Sequence, residues 1–299
     1  FQKRNVPGTG SLFQALKQTW QDERGRRAFP IYFITASPPQ MEEKIREKLE
    51  LDDILPLGMF YKDNLQNLKP GRLWRLTAQI GYKVQALLQL RTHLKEDVRQ
   101  VLWGDDSESD AVIYSLYSDI CARRLAGREL QDVLHRLHVV GEQTETILDL
   151  QERIPQQDPV EKIYINLATD TDPEYYLKFG RRTVPTYNTF QAAVDLFQDG
   201  RLKEDQVIKV AVDMLMNYDF SPEELQSSFD NIVRRQLIAK ETVDVLAPLL
   251  IHNEIFAPDF VPSLEPKPIA ERQGRRVFAL EGVHEPWIPQ HVDYLREVR

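Results

Sequence analysis

The sequence predicts an α/β chain: a parallel sheet flanked by helices, followed by a mainly helical C-terminal region. Three observations predict it. Short apolar runs rich in aromatic and β-branched residues, at 29–34, 55–60, 98–103 and 162–167, alternate with helical stretches, the pattern of strands joined by helical crossovers. The run 98–103 stops at Gly104 and opens into a loop carrying Asp105, Asp106, Glu108 and Asp110. A buried parallel strand ends in this way where its carboxyl end meets a ligand site. From about Thr189 onward the strand signals cease and helical ones continue.

In order, Val6-Pro7-Gly8-Thr9-Gly10 is a turn-rich lead-in. It lacks the Lys-Ser/Thr of a phosphate-binding loop and the spacing of a dinucleotide fingerprint. A helix follows with Leu12, Phe13, Leu16 and Trp20 on one face and Ser11 as its N-cap. The strand at 29–34 ends in Thr35-Ala36-Ser37-Pro38-Pro39, two hydroxyls facing the start of a helix at 40–49. Ser37 is either the N-cap of that helix or, with Thr35, part of an anion site at its amino end. A helix at 77–91 carries Ile80, Val84, Leu87 and Leu88 on its apolar side, with Lys83 among them. Helices are expected at 111–126 and 129–139, then a polar connector containing proline, then the strand at 162–167. Four more helices are expected at 190–197, 204–218, 222–237 and 240–251. Ser221-Pro222-Glu223-Glu224 supplies an N-cap, a first-turn proline and a capping-box glutamate. The last stretch, 256–299, is rich in proline and expected to wrap the surface.

Composition bounds the function. With 42% hydrophobic and 28% charged residues the chain is long enough to bury a sizeable core. A formal net charge of -8 argues against nucleic acid as a partner, because the usual footprint is a basic stripe. No apolar run reaches the ~18 residues of a membrane span. The single cysteine, Cys121, excludes an intrachain disulfide, reads as a core residue, and fits a reducing, cytoplasmic setting. The histidines at 93, 135, 138, 252, 284 and 291 have no metal-ligand spacing. Carboxylates crowded between Asp105 and Asp110 repel one another unless they are solvated or gathered around a cation, and hard oxygen ligands suit Mg2+.

A strand ending in Thr35, a helix-borne Lys83 and a strand ending in Gly104-Asp105 with Asp110 beyond it occur in that order. This order resembles motifs two, three and four of the haloacid-dehalogenase superfamily of phosphohydrolases. The likeness is closer to the phosphatidate phosphatase catalytic-domain family, which includes an actin-patch-associated enzyme and many bacterial proteins. That family's Ser-Ala-Ser-Pro is matched by Thr35-Ala36-Ser37-Pro38. Its helix-opening Lys is matched by Lys83 with Leu87-Leu88. Its Gly-Asp-Ser-x-x-x-Asp-x-x-x-Tyr is matched by Gly104-Asp105-Asp106-Ser107 through Asp110 to Tyr114, and its early Val-Pro-Gly by Val6-Pro7-Gly8. The likeness covers roughly residues 5 to 190.

The resemblance implies a phosphatase domain over 1–188, a helical region over 189–255 and a proline-rich extension over 256–299. It implies a Mg2+-dependent phosphomonoester hydrolase working through an aspartyl-phosphate on a phosphorylated small molecule or a phosphatidate-like lipid headgroup. Thr35, Lys83 and Ser37 would contact the phosphoryl group, and Asp105, with Asp110 or Asp106, would hold the metal. The superfamily's first motif, Asp-x-Asp-x-Thr, supplies the nucleophile at the end of the first strand. It is missing here and would lie upstream of Phe1. The alternative is a catalytically inactive relative that binds or scaffolds, with the helical region docking a partner or a second copy.

Overall fold

The structure is a computed structural model, and it describes residues 6–21, 28–35, 37–61, 72–107, 109–263 and 287–297. In chain order these form α1 (Thr9–Trp20), β1 (Tyr32–Thr35), a 3-10 turn (Pro39–Met41), α2 (Glu42–Leu51), β2 (Gly58–Tyr61), α3 (Arg72–Thr92), β3 (Gln100–Asp105), α4 (Asp110–Cys121), α5 (Gly127–Arg136) and α6 (Gly141–Arg153). Next come β4 (Val160–Asn166), a 3-10 segment (Pro173–Phe179), β5 (Thr183–Thr186), α7 (Thr189–Gln198), α8 (Glu204–Asn217), α9 (Pro222–Arg234), α10 (Lys240–His252) and α11 (Tyr294–Glu297). No helix among the described residues is long and apolar enough to cross a membrane.

The chain divides into two compact units, over 30–51, 55–185 and 285–299, and over 1–29, 52–54 and 186–284. This division cuts across the linear boundaries expected at 188 and 255. Helix α1 is grouped with the C-terminal helices, and the segment around α11 with the strands. Leu12 and Ala15 of α1 are buried, and α1 packs on α7 and α8. Spacing along the sequence can place an apolar face on α1 but not name the face it meets.

The first unit is α/β. Its strands form two parallel sheets, β1 with β2, and β3-β4-β5 in that order. α4 lies on β3 and β4 and is buried on nearly every side, through Val112, Ile113, Leu116, Tyr117, Ile120 and Cys121. A helix enclosed on nearly every side belongs to the core. Cys121 is a core residue, and burial pushes its thiol up to about 12. α3 packs on β1, α4 and α6 through a face that includes the fully buried Ile80, Val84 and Leu88.

The expected polar connector after 139 contains helix α6. Its buried residues Thr144, Ile147, Leu150 and Gln151 follow helical spacing, but half of them are polar, so apolar periodicity alone does not mark the face. Gln151 is held inside by donating to the carbonyls of Ile120 and Leu125. β5 also emerges only in the structure: Thr183-Val184-Pro185-Thr186 is fully buried, and its position beside β4 makes it a strand.

The second unit is helical. Phe190, Phe229, Phe256 and Phe260 form an edge-to-face cluster among α7, α9 and the residues after α10. The capping box at the start of α9 is present: Glu224 N donates to Ser221 Oγ, and Ser221 N to the Glu224 carboxylate. The N-cap of α1 is Gly8 rather than Ser11. Gly8 sits at φ 77, a left-handed conformation that suits glycine, while Ser11 lies inside the helix and donates to Gly8 O and Asp213.

Candidate functional site

β3 runs from Gln100 through Asp105, two residues further than its apolar stretch, because Asp106 N still donates to Asn166 O at the end of β4. Gly104 and Asp105 are therefore strand residues, and α4 begins at Asp110. This short connection brings the first turn of α4 back against the strand it has just left. Gly104 is required for that approach: a Cβ there would stand 2.5 Å from the Asp110 side chain.

Asp110 is 4% exposed and Lys83 6%. Lys83 Nζ lies 2.5 Å from Asp110 Oδ1, and Asp110 Oδ2 accepts from Asp105 N at 3.2 Å. Lys83 reaches this position because its helical neighbours Ile80, Val84 and Leu87 are buried and fix the rotation of α3. The helix lysine that sequence alone would leave in solvent is thus a buried cation at the carboxyl end of β3. Asp105 Oδ1 accepts from Ser107 N and Ser107 Oγ.

Asp106 turns elsewhere. Its carboxylate accepts from Ala168 N at 2.7 Å and from the Thr171 hydroxyl, tying the acidic loop to the connection after β4. Asp106, which the sequence grouped with Asp105 and Asp110 as a metal ligand, thus uses its carboxylate to hold the connection after β4. Among the described residues no group of three or more His, Cys, Asp or Glu side chains gathers as a metal site. The chemistry of the remaining pair still suits Mg2+. That ion commonly takes one or two protein carboxylates and fills its shell with water and substrate phosphate oxygens, and Asp105 and Asp110 both carry hard-oxygen donors, the backbone of one bonded to the carboxylate of the other.

Thr35 ends β1, and its hydroxyl accepts from Ser37 N at 3.1 Å. This leaves the hydroxyl proton available to an anion. Ser37 is not a helix cap: the cap position before the 3-10 turn falls on Pro38, without a side-chain bond. Among the described residues, Thr35 and Ser37 bond to each other at the end of one sheet, while Lys83, Asp105 and Asp110 gather at the end of the other.

Comparison with known proteins returns no matching family model, no matching curated protein and no matching solved structure.

One wall of the site was not visible in the sequence. Tyr176, on the 3-10 segment after β4, is buried. Burial first, and then the neighbouring Asp106, Tyr175, Asp105 and Asp110, push its phenol above its ordinary range, so it is neutral at physiological pH. Ala168 and Thr171 lie 62 and 65 residues from Asp106, Tyr176 follows them, and only the pairing of β3 with β4 brings them to the acidic loop. No short motif marks them.

Gly104→Ala tests the geometry directly. The added methyl must displace the Asp110 side chain, and overpacking of a buried site costs about 1–3 kcal/mol. The midpoint of urea unfolding should fall accordingly, whereas Gly141→Ala, where a Cβ meets nothing within 4 Å, should leave it unchanged.

Proposed function

We propose that this protein is a phosphomonoester hydrolase of the aspartyl-phosphate type. The observation that most supports this reading is the buried Lys83–Asp110 pair, bonded to the Asp105 backbone where β3 meets α4. Ligands collect at the carboxyl ends of strands in open α/β sheets, and a buried ammonium held on a carboxylate favours a phosphoryl dianion over a neutral substrate.

In this reading the residues divide the work. Asp110 orients Lys83. The Lys83 ammonium neutralises charge on the phosphoryl group, and the Thr35 hydroxyl donates to one of its oxygens. Asp105 and Asp110 would hold Mg2+, which supplies further charge neutralisation on the phosphoryl oxygens. The nucleophile this reading requires is the carboxylate of the first superfamily motif, which residues 1–299 do not carry. Its oxygen would bond to phosphorus as the ester P–O bond breaks and the alcohol leaves with a proton taken up on its oxygen; water would then attack phosphorus, breaking the aspartyl O–P bond to release phosphate and restore the carboxylate. Asp106 holds the wall formed by Ala168 and Thr171. A phosphatidate-like headgroup as substrate rests on the family resemblance alone.

The test uses the polypeptide beginning at its own start codon. It should release inorganic phosphate from p-nitrophenyl phosphate in Mg2+. Asp105→Asn should lower the rate by about 100-fold or more, as should chelation of the metal with EDTA. Unchanged rates in both experiments would remove the assignment. A well-folded protein with no phosphate release would favour the binding or scaffold alternative.

A further inference from the structure

The connection after β4 carries a buried polar group with no bond of its own. In the parallel pairing Asp105 stands opposite Asn166, so the chain leaves β3 and β4 side by side at the same end of the sheet. The two connections are then fastened together. Asp106 accepts from Ala168 N and from the Thr171 hydroxyl, and Thr171 N donates to Ala168 O. Asp172 caps the next turn by accepting from Glu174 N at 3.0 Å. The 3-10 segment that starts there, Pro173–Phe179, packs on α4. A 3-10 helix has about three residues per turn, which stacks positions i and i+3 on one side. Tyr176 and Phe179 are so spaced, and they are the buried residues of the segment.

Tyr176 is 6% exposed. Its ring meets Tyr175 edge-on, with centroids 5.1 Å apart, and Phe179 at 6.4 Å. A buried tyrosine usually gives its hydroxyl a partner, as Tyr117 does with Gln100 and Tyr294 with Asp119. Among the described residues the Tyr176 hydroxyl makes no hydrogen bond. An enclosed hydroxyl left unbonded is costly, and a ligand that supplies the acceptor removes that cost. Asp106, Asp105 and Asp110 are close enough to act on the phenol, yet each carboxylate bonds elsewhere: to the connection after β4, to Ser107, and to Lys83 with Asp105 N. The hydroxyl therefore lies at the acidic site as a neutral donor whose proton no carboxylate there takes up.

We propose that the Tyr176 hydroxyl donates a hydrogen bond to an oxygen of the phosphoryl group bound at this site, and that Asp106 is a positioning residue that keeps Tyr176 there by fastening the two connections. The identity of the ligand rests on the hydrolase reading above, whereas the donor rests on the unbonded, buried hydroxyl. The ligand chemistry is a tetrahedral oxyanion, shared by inorganic phosphate and a phosphate monoester. Asp106 then serves the anion through Tyr176 and takes no part in holding the metal.

Calorimetry on the polypeptide from its own start codon tests this, with Mg2+ alone and then with inorganic phosphate in saturating Mg2+. Tyr176→Phe should weaken phosphate binding by about 10-fold or more. It should leave Mg2+ affinity and the midpoint of urea unfolding unchanged, because the deleted hydroxyl bonds to nothing in the protein. Asp106→Ala should also weaken phosphate binding without altering Mg2+ affinity, and should add little in the Tyr176→Phe background, the coupling expected of a residue that acts through another. In an active enzyme Tyr176→Phe should raise the KM of p-nitrophenyl phosphate as well; an effect on inorganic phosphate alone would overturn the assignment to the substrate. Unchanged phosphate affinity in Tyr176→Phe, or a lowered urea midpoint, would overturn the donor even in an active phosphatase. Weaker Mg2+ binding by Asp106→Ala would overturn the role given to Asp106. Phosphate binding that depends on Tyr176, in a protein that releases nothing from p-nitrophenyl phosphate, would uphold the donor and remove the hydrolase reading. No phosphate binding by the unaltered chain would overturn the donor.

Discussion

Replacing Lys83 by Met, or Asp110 by Asn, should each destabilise the protein by about 3–5 kcal/mol, whereas replacing both together should cost less than either alone. Both side chains are almost wholly buried, and their charged atoms stand 2.5 Å apart. Removing one leaves the other charge inside the protein without its nearest counter-ion. Removing both leaves two neutral groups of similar size, and the amide oxygen introduced by Asp110→Asn can still accept from Asp105 N. The measurement is urea unfolding of the two single variants and the double variant, read as a double-mutant cycle. Near-additive, small losses would show that the pair is solvated in solution. The cycle also guards the activity test, because a Lys83 variant that has lost activity has to be shown to be folded.

The second large effect lies away from the site, at Arg182. It is 1% exposed and donates to Asp158 Oδ2, Val160 O and Ser118 Oγ. Arg124 donates to the same Asp158 oxygen and to Asp119, and the Tyr294 hydroxyl donates to Asp119, so α11 is tied into the network. Arg182→Met should cost about 3–5 kcal/mol by stranding the Asp158 carboxylate.

A pH dependence accompanies this. Burial alone would raise the Asp158 carboxyl, but Arg182 and Arg124 outweigh it and hold the group below the usual carboxylate range. A depressed acid stabilises the fold above its unfolded pKa of about 3.9. That stability is lost as pH falls through the lower folded value. Thermal unfolding followed between pH 5 and pH 2 should therefore show a steep loss in the parent protein and a shallower one in Asp158→Asn. Equal slopes would show that Asp158 does not contribute.

The candidate site was partly legible in the sequence because its residues are motif-borne. Gly104-Asp105 and Asp110 lie within one strand-to-helix connection, and a glycine before an acid is a local signal. Lys83 was placed by its order along the chain, yet its burial was not: a lysine on an amphipathic helix is ordinarily solvated, and only the docking of α3 beside α4 encloses it. The direction of Asp106 was not legible for a related reason. Adjacent carboxylates look alike in a sequence, but successive residues at a strand end point in different directions. Asp105 stays with Asp110, while Asp106 is turned to Thr171.

The four C-terminal helices, the capping box of α9 and the core role of Cys121 were fixed by local chemistry: apolar periodicity, a Ser-x-x-Glu start and a small apolar side chain on a helix face. α6 and β5 depended on partners distant in sequence, since a half-polar helix and a four-residue strand carry too little signal of their own. The same holds for Arg182, whose acceptors lie 22, 24 and 64 residues away. By itself the sequence determined the alternation of strands and helices and the chemistry at the end of β3, because both are written in neighbouring residues. Only the tertiary structure decided which charges are buried together, which helices join α1, and that the strands form two sheets. Each of these depends on which surfaces meet, and no stretch of neighbouring residues encodes that.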